Sequence, residues 1–312
     1  EAQTIGKRMN LSRQTTFDSS QTAALLDYAK LVDTLRTTVA DYTAGRIVSP
    51  ERLVVPIQDG GVMLSMPANA DDLAIHKLVT VCPANAQRDL PTIHGQVLAC
   101  DAHTGEMRFV LDGPTVTGRR TAAVTALGIQ TLHGVSPREM AVIGTGKQAA
   151  NHIEALATLF PDDATLFVKG RTEAGTQRFI EQMRPVAPNM TALNDLHDSI
   201  DIVVMVTTSR AAIYNEAGKK GRLIVGVGAF TPEMAEIGKQ TIDSSVIVVD
   251  DPAGAKHEAG DLIQAGIDWT TVRSLADAID GRLDTEQPIV FKSVGCAAWD
   301  LAACRVVRDA LL

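Results

Sequence analysis

The sequence predicts an α/β protein in which a Rossmann-type doubly wound parallel sheet is joined to an α+β domain formed by both chain ends. Two observations carry this prediction. An apolar run from Met140 to Ile143 ends at a glycine-rich turn that opens a helical pattern. Beyond that turn, strand-like and helical segments alternate, as in a parallel sheet with helices on both faces. The 312 residues are enough for two domains.

The N-terminal part has a different pattern. Apolar residues recur at helical spacing from Ser19 to Ala44, and Gly45 follows in a helix-stopping position. Short β-rich runs with hairpin signals between them then predict an antiparallel or mixed sheet. The predicted strands are Leu53 to Val55, Val62 to Leu64, Ile75 to Val81, Gly95 to Cys100 and Met107 to Leu111.

A helix predicted from Arg120 to His133 leads into the glycine turn. After it, strands are predicted at Ala164 to Val168, Asp201 to Val206, Arg222 to Val227 and Val246 to Val249, with helices at Glu173 to Met183 and Ala253 to Ala265. The tail predicts a strand and turn over Pro288 to Gly295, then a helix from Cys296 to Leu312. We therefore divide the chain into residues 1–119, completed by 290–312, and an inserted nucleotide-binding domain of residues 120–289.

Composition excludes several classes of partner. The net charge is -8 and no lysine-arginine block occurs, which argues against nucleic acid and anionic membranes. No run of about eighteen apolar residues is present, and the first residues lack the apolar core of a secretion signal. The four cysteines and seven histidines show no metal-ligand spacing. We expect a cytoplasmic protein without a metal site.

The glycine turn has the residue types that a dinucleotide requires. Gly144 permits the tight turn, Gly146 lets the backbone approach a pyrophosphate, and small Ala149 lets helix and strand pack closely. Thr145, Lys147 and Gln148 complete the predicted cofactor-binding turn. The alternative is a structural turn that binds nothing.

The tip of the second predicted strand indicates which dinucleotide binds. It carries Lys169, Arg171 and Thr172 where NAD-selective units have a carboxylate, so NADP(H) is the preferred cofactor and NAD(H) is possible. The alternative is that both cations are solvated loop charges, and Glu173 lies close by. Two further strand tips, with Thr207, Thr208, Val227 and Gly228, suit either a nicotinamide crevice or ordinary turns.

Three cations precede the nucleotide domain. Lys77 lies in a run that is apolar enough to be buried, and a buried lysine needs an anion, either an internal carboxylate or a ligand. Arg52 and Arg120 are, by position alone, typical surface charges. His76 is the nearest acid by type, but neighbouring strand residues point to opposite faces, so only one of His76 and Lys77 is expected to face a substrate.

Several motifs together resemble the ornithine cyclodeaminase/mu-crystallin family over nearly the whole chain. They are Ser49-Pro-Glu-Arg-Leu-Val-Val55, Met66-Pro-Ala68, His76-Lys-Leu-Val79 with Asn85, Gly118-Arg-Arg-Thr-Ala-Ala123, Val142-Ile-Gly-Thr-Gly-Lys-Gln-Ala149, Glu258-Ala-Gly-Asp-Leu262 and Phe291-Lys-Ser-Val-Gly295. The resemblance implies a homodimer whose substrate and dimerisation domain is built from both chain ends. It also implies that Arg52, Lys77 and Arg120 hold a substrate carboxylate, with Lys77 catalytic. Ser293 and Gly295 would lie by the nicotinamide, and Thr121 would contact a phosphate.

Position 230 separates the reactions found in this family. Cyclodeaminases carry an aspartate two positions before the proline that matches Pro232, whereas this chain has Phe230, which cannot accept a proton or pair with an ammonium. The resemblance therefore implies reduction of a small cyclic ketimine carboxylate by hydride transfer to its C=N carbon. Δ1-pyrroline-2-carboxylate would give L-proline, and Δ1-piperideine-2-carboxylate would give L-pipecolate. The alternatives are an alanine-type amino-acid dehydrogenase, an ornithine cyclodeaminase, and a mu-crystallin-like protein that binds NADPH without turnover.

Overall fold

A computed structural model of the chain describes residues 15–160 and 164–312. The helices are α1 (Ser19–Leu25), α2 (Tyr28–Thr43), α3 (Gly113–Leu132), α4 (Lys147–Leu159), α5 (Glu173–Met183), α6 (Lys239–Asp243), α7 (Pro252–Glu258), α8 (Gly260–Ala265), α9 (Leu275–Ile279) and α10 (Ala297–Leu311). Among these described residues, no helix is both long enough and apolar enough to cross a membrane.

The strands form two sheets. They are β1 (Thr15–Thr16), β2 (Leu53–Pro56), β3 (Val62–Asn69), β4 (Ala74–Val81), β5 (Ile93–Cys100), β6 (Met107–Asp112), β7 (Glu139–Ile143), β8 (Thr165–Lys169), β9 (Thr191–Ala192), β10 (Ile202–Met205), β11 (Leu223–Gly226), β12 (Val246–Val249), β13 (Arg273–Ser274) and β14 (Ile289–Lys292). The first sheet has the order β1-β6-β5-β4-β3-β2 and is antiparallel except for β1, which pairs parallel to β6.

The second sheet is parallel throughout, with the order β13-β12-β14-β11-β10-β7-β8-β9. Buried apolar residues cover both of its faces, as a parallel sheet requires. The predicted α/β class with a doubly wound sheet and a second α+β part is confirmed.

Strand β14 changes the expected division of the chain. It lies between β11 and β12, and all four of its residues are buried. The boundary predicted at residue 289 therefore cuts through a central strand of the nucleotide-binding sheet. Of residues 290–312, the helix α10 packs against β3 and β4 of the first sheet. The roles assigned to the two parts remain predictions, and residues 1–14 lie outside the described residues.

Three predicted helices differ from those observed, and local capping explains two of the differences. The helix expected from Ser19 to Ala44 is broken, because the carboxylate of Asp27 accepts a hydrogen bond from the Lys30 amide and starts a new helix. Helix α3 starts at Gly113 instead of Arg120, because Asp112 caps it and Pro114 occupies its first turn. The helix expected from Ala253 to Ala265 is split at Ala259 into α7 and α8.

Candidate active site

The glycine turn leaves a helix N-terminus open to an anion. Gly144 has φ 131°, and a Cβ there would lie 2.9 Å from the carbonyl oxygen of Val206. Gly146 is the N-cap of the 13-residue helix α4 and supplies no side-chain hydrogen bond to its first turn. Those amides and the helix dipole favour a phosphate group. Ala149 is fully buried between helix and strand.

Two further observations fit a dinucleotide at this turn. The Oε1 atom of Gln148 is buried and has no hydrogen-bond partner among the described residues. At the tip of the next strand, a Cβ on Gly170 would lie 2.8 Å from Cγ2 of Thr145, so the β8 tip approaches the turn closely. The predicted turn residues Thr145, Gly146, Lys147 and Gln148 thus lie at the carboxyl edge of the sheet, where such ligands bind.

The three polar residues predicted at the β8 tip are not equally available. The Lys169 ammonium donates to the carbonyl of Asn194 at 2.9 Å. The Thr172 hydroxyl accepts from the Gly175 amide at 3.1 Å and caps α5. Arg171 is exposed and has no ion pair or hydrogen bond within residues 15–160 and 164–312. Of these three side chains, Arg171 is therefore the one that the described residues leave available to a ligand.

A buried carboxylate that the sequence analysis missed holds the tips of β10 and β11. Glu236 is fully buried and accepts hydrogen bonds from the Thr207 amide at 2.5 Å, the Thr207 hydroxyl at 2.8 Å and the Gly228 amide at 2.7 Å. Burial raises the pKa of Glu236, while the Lys292 charge opposes that shift. The Thr207 hydroxyl is thus engaged in the fold, whereas Thr208 is exposed and Val227 is buried.

Lys292 and Asp261 form a fully buried ion pair behind this carboxylate, with Nζ and Oδ2 2.7 Å apart. The other oxygen of Asp261 accepts from the amides of Glu236 and Ile237 at 2.5 and 2.8 Å. The strand tips that face the predicted nicotinamide crevice are therefore fixed by buried charges. Both charged residues belong to motifs of the family resemblance, which is the one signal that pointed to them.

Lys77 and Arg120 meet at a second missed carboxylate, Asp300 on α10. The Lys77 ammonium lies 2.5 Å from Oδ2 of Asp300, and Nε of Arg120 donates to Oδ1 at 3.2 Å. All three side chains are buried. Burial lowers the pKa of Lys77 to about 8, the Asp300 charge opposes this, and the Arg120 charge lowers it further. Of the two kinds of anion considered for Lys77, the internal carboxylate is therefore present. The sign of it in the sequence was an aspartate inside the apolar C-terminal helix.

Arg52 and Arg120 both contact the turn at Gly295. The Nη2 atom of Arg52 lies 2.7 Å from Oε2 of Glu258 and donates to the Gly295 carbonyl at 2.8 Å. The Arg120 guanidinium packs so closely on Gly295, whose φ is 74°, that a Cβ there would overlap it. The structure thus brings Arg52, Lys77 and Arg120 together, and their role in holding a substrate carboxylate remains a prediction. These three cations converge on the carboxylates of Glu258 and Asp300.

The turn that follows β14 is fixed by Asp250, a third missed carboxylate. It accepts from the Ser293 hydroxyl at 2.8 Å, the Gly295 amide at 3.0 Å and the Trp299 indole at 3.1 Å. Ser293 is buried and its hydroxyl donates to Asp250, so it supports the turn. Because Gly295 contacts both arginines, Asp250 also fixes the surface on which they lie.

A small cavity opens beside these groups, at the carboxyl ends of β12 and β14. Its lining includes Tyr42, Arg52, Asp251, Glu258, Gly295 and Cys296. Burial raises the pKa of Glu258 to about 7, while the Arg52 charge lowers it and the nearby carboxylates Asp251 and Asp250 raise it. A positively charged group and a protonatable carboxyl therefore line one cavity.

Other predicted residues lie apart from the cluster. His76 is on the opposite face of β4 from Lys77, and its Nε2 atom lies 2.8 Å from the Ser65 hydroxyl. Thr121 is buried on α3 next to Arg120. Phe230 is 40% exposed in the loop after β11 and is not among the residues lining the cavity beside Arg52. No group of three or more potential metal ligands occurs in the described parts of the chain.

Comparisons with known proteins identify relatives that match nearly the whole chain. The chain is 64% identical over 303 residues to Δ1-pyrroline-2-carboxylate reductase 1 of Burkholderia multivorans, covering 96% of this chain and 97% of the relative. It is 63% identical over 297 residues to a Δ1-pyrroline-2-carboxylate/Δ1-piperideine-2-carboxylate reductase of Azospirillum brasilense, covering 95% of each.

The fold is also that of a solved relative. The structure of Thermococcus litoralis Δ1-pyrroline-2-carboxylate reductase in complex with NADH and L-proline matches with a TM-score of 0.85 at 22% identity, over 95% of this chain and 97% of that one. The family model of the ornithine cyclodeaminase/mu-crystallin family matches residues 14–312. The chain belongs to the ornithine cyclodeaminase/mu-crystallin family.

Proposed function

We propose that this chain reduces Δ1-pyrroline-2-carboxylate to L-proline with a nicotinamide cofactor. The observation that carries the proposal is the buried cluster of Lys77, Arg120 and Arg52 beside the turn at Gly295. Relatives of 63–64% identity that carry the name of this reaction support it. The A. brasilense relative is also named for the six-membered ring, so Δ1-piperideine-2-carboxylate is part of the proposal.

The chain contributes binding and orientation. The carboxylate of the substrate docks against Arg52, Lys77 and Arg120, whose positions are set by Asp300 and by the Gly295 carbonyl. The cofactor, when bound, supplies the hydride that C2 of the C=N bond accepts. Holding the reacting atoms in a near-attack geometry contributes on the order of 7–11 kcal/mol to such a step.

NADP(H) is the proposed cofactor, with NAD(H) as the alternative. Arg171 stands free at the β8 tip, and a charge-assisted hydrogen bond to a 2'-phosphate contributes about 1.5–3 kcal/mol. The adjoining Lys169 adds positive charge even though its ammonium is held by Asn194.

We further propose a homodimer that forms through the outer face of the first sheet. Leu53 and Leu78 are 62% and 42% exposed and lie on one line across the sheet, on either side of Ser65. A second copy of the chain would cover them. If Leu78→Asp left the mass in analytical ultracentrifugation unchanged, this face would be the wrong one.

We place the protein in the cytoplasm, supported by four free cysteines.

One set of assays tests the activity. Purified protein is mixed with NADPH or NADH and, in turn, with Δ1-pyrroline-2-carboxylate, Δ1-piperideine-2-carboxylate, or pyruvate plus ammonium, and loss of reduced cofactor is followed. Turnover of a cyclic imine well above the pyruvate rate is the expected result. Faster turnover of pyruvate and ammonium would identify an amino-acid dehydrogenase instead. Ammonia release from ornithine with NAD would overturn the reductase assignment, and no turnover at all would favour a binding protein.

A further inference from the structure

We propose that Glu258 donates the proton that the imine nitrogen takes up as hydride reaches C2. This role rests on the proposed function. The family resemblance assigned no role to this residue. The cation cluster accounts for the carboxylate of the substrate, but it provides no partner for the imine nitrogen.

The position of Glu258 fits this role. It is the last residue of α7, and its carboxylate lies 2.7 Å from the Arg52 guanidinium, with 19% of the side chain exposed. In a cyclic ketimine carboxylate, the nitrogen is bonded to the same carbon that bears the carboxylate. A carboxylate bound to Arg52 therefore brings the nitrogen within reach of groups that also contact Arg52.

The other acids around the cavity are less suitable. Asp251 caps α7 through the Ala253 amide at 3.2 Å, and the Tyr42 hydroxyl donates to the same oxygen at 3.3 Å. Burial raises the pKa of both Tyr42 and Cys296 far above neutrality, so neither gives up a proton easily. His76 lies on the opposite face of β4 and contacts Ser65.

The charges around Glu258 keep part of it protonated near neutral pH. Arg52 from the segment before β2 favours the carboxylate, whereas burial and the charges of Asp250 and Asp251 at the end of β12 favour the acid. The resulting pKa is about 7. A general acid is most effective when its pKa lies near the working pH.

The step balances with one proton. Hydride adds to C2, the π electrons of the C=N bond move to nitrogen, and a new N–H bond forms as the O–H bond of Glu258 breaks. The imine would be reduced to the secondary amine by the two electrons that the reduced cofactor supplies as hydride, and Glu258 would be left as a carboxylate beside Arg52. Solvent then restores its proton.

The first test compares Glu258→Gln with Glu51→Gln. Glu51 precedes Arg52 in the chain, but its carboxylate is on the surface, 3.5 Å from His257 and 69% exposed. Both variants lose one carboxylate, and only Glu258→Gln loses the one that contacts Arg52. We expect Glu258→Gln to lower kcat by about 10²-fold and to remove the fall in kcat/KM that begins near pH 7, leaving the fall above about pH 8 that Lys77 causes, with Glu51→Gln like the parent.

A binding measurement separates donation from a structural role. With oxidised cofactor present, L-proline and cyclopentanecarboxylate differ in the ring nitrogen, so the parent should prefer L-proline and Glu258→Gln should lose that preference. Glu258→Asp, which keeps the acid, should retain a pH-dependent limb even if the glutamine variant does not fold. If the parent reduces the imine and Glu258→Gln does so with an unchanged kcat and pH profile, the proton-donor role is refuted while the reductase activity stands. If the parent itself does not reduce the imine, both fail.

Discussion

Asp300 and Lys77 form a buried ion pair in which the ammonium nitrogen and a carboxylate oxygen are 2.5 Å apart. Lys77 comes from β4, Asp300 from α10, and Arg120, which binds the other oxygen, from α3. One carboxylate thus joins three elements that are distant in the chain. Because Asp300 fixes both cations in place, Lys77 and Arg120 are already positioned before any ligand binds. Such preorganisation is the main source of electrostatic catalysis.

Asp300→Asn should destabilise the protein strongly. The change leaves two buried cations without their counter-charge, and removal of one partner from a buried ion pair costs about 3–5 kcal/mol. The free energy of unfolding in urea measures this cost. Asp243→Asn is the control, since its pair with Lys239 is exposed and is expected to be worth only about 0.3–0.5 kcal/mol. Equal losses of unfolding free energy in the two variants would mean that the buried Asp300 pair stabilises the fold no more than an exposed ion pair does.

Binding of a carboxylate should weaken as pH rises through about 8, the pKa of Lys77. Burial lowers this pKa, so Lys77 is charged below pH 8 and neutral above it, and attraction for an anion is lost in that direction. Cyclopent-1-enecarboxylate lacks the ring nitrogen, so it reports on the charged groups that face the carboxylate. Its Kd should rise modestly through about pH 7, as Glu258 ionises beside Arg52, and then by up to about tenfold per pH unit above pH 8.

Lys77→Met provides the comparison for this titration. It should bind the same carboxylate weakly at every pH and should still bind reduced cofactor with the affinity of the parent, because Lys77 belongs to the carboxylate cluster. Calorimetry gives the first quantity and protein fluorescence the second. A parallel rise of Kd with pH in parent and variant would assign the titration to another group.

Arg171→Asp should reverse the cofactor preference. The substitution removes the free cation at the β8 tip and places a carboxylate where it would repel a 2'-phosphate. Loss of a charge-assisted hydrogen bond of about 1.5–3 kcal/mol corresponds to roughly 10- to 100-fold in kcat/KM for NADPH. The rate with NADH should change little. Arg178→Asp, an equally exposed arginine on α5, controls for net charge. A preference that moves to the same extent in both variants would exclude a local phosphate contact.

Local patterns in the sequence predicted the turn and the buried Lys77, whereas the roles of Arg52 and Arg120 came only from the family resemblance. Gly144 and Gly146 stand between a strand and a helix pattern, and Lys77 lies in an apolar run, so neighbouring residues were enough to identify each. The carboxylates that hold them were not predictable in this way. Asp300 lies 180 positions from its partner Arg120, and its proximity depends on how α10 packs against the first sheet.

The same limit applies to the fold. The central position of β14 depends on strand order, which no local pattern encodes. The break between α1 and α2 was missed because apolar spacing continues across Asp27, while the competing cap is a single side-chain contact. The net charge of the site could likewise not be predicted from local patterns, since it depends on Glu258 and Asp300 lying next to the cations.

Phe230→Ala should affect substrate more than stability. The ring is 40% exposed, so its removal should change the free energy of unfolding by less than about 1 kcal/mol. If the loop after β11 closes over the bound ring, KM for the imine should rise by roughly tenfold, since burying an aromatic side chain is worth about 1.5–3 kcal/mol. Ile213→Ala, 48% exposed elsewhere on the surface, is the control. An unchanged KM would remove Phe230 from the substrate site.

Glu236→Gln should weaken cofactor binding without touching the glycine turn. The Glu236 carboxylate accepts from the amides and hydroxyl that fix the β10 and β11 tips, and a glutamine of the same shape would turn an NH2 group toward those donors. An unsatisfied buried donor costs about 1–3 kcal/mol, and the nearby positive charge of Lys292 would be less well balanced. We therefore expect the Kd for reduced cofactor, measured by fluorescence, to rise by about tenfold or more. Glu233→Gln, an exposed carboxylate in the same loop, should bind like the parent. An unchanged Kd in Glu236→Gln would mean that these strand tips do not contact the nicotinamide end of the cofactor.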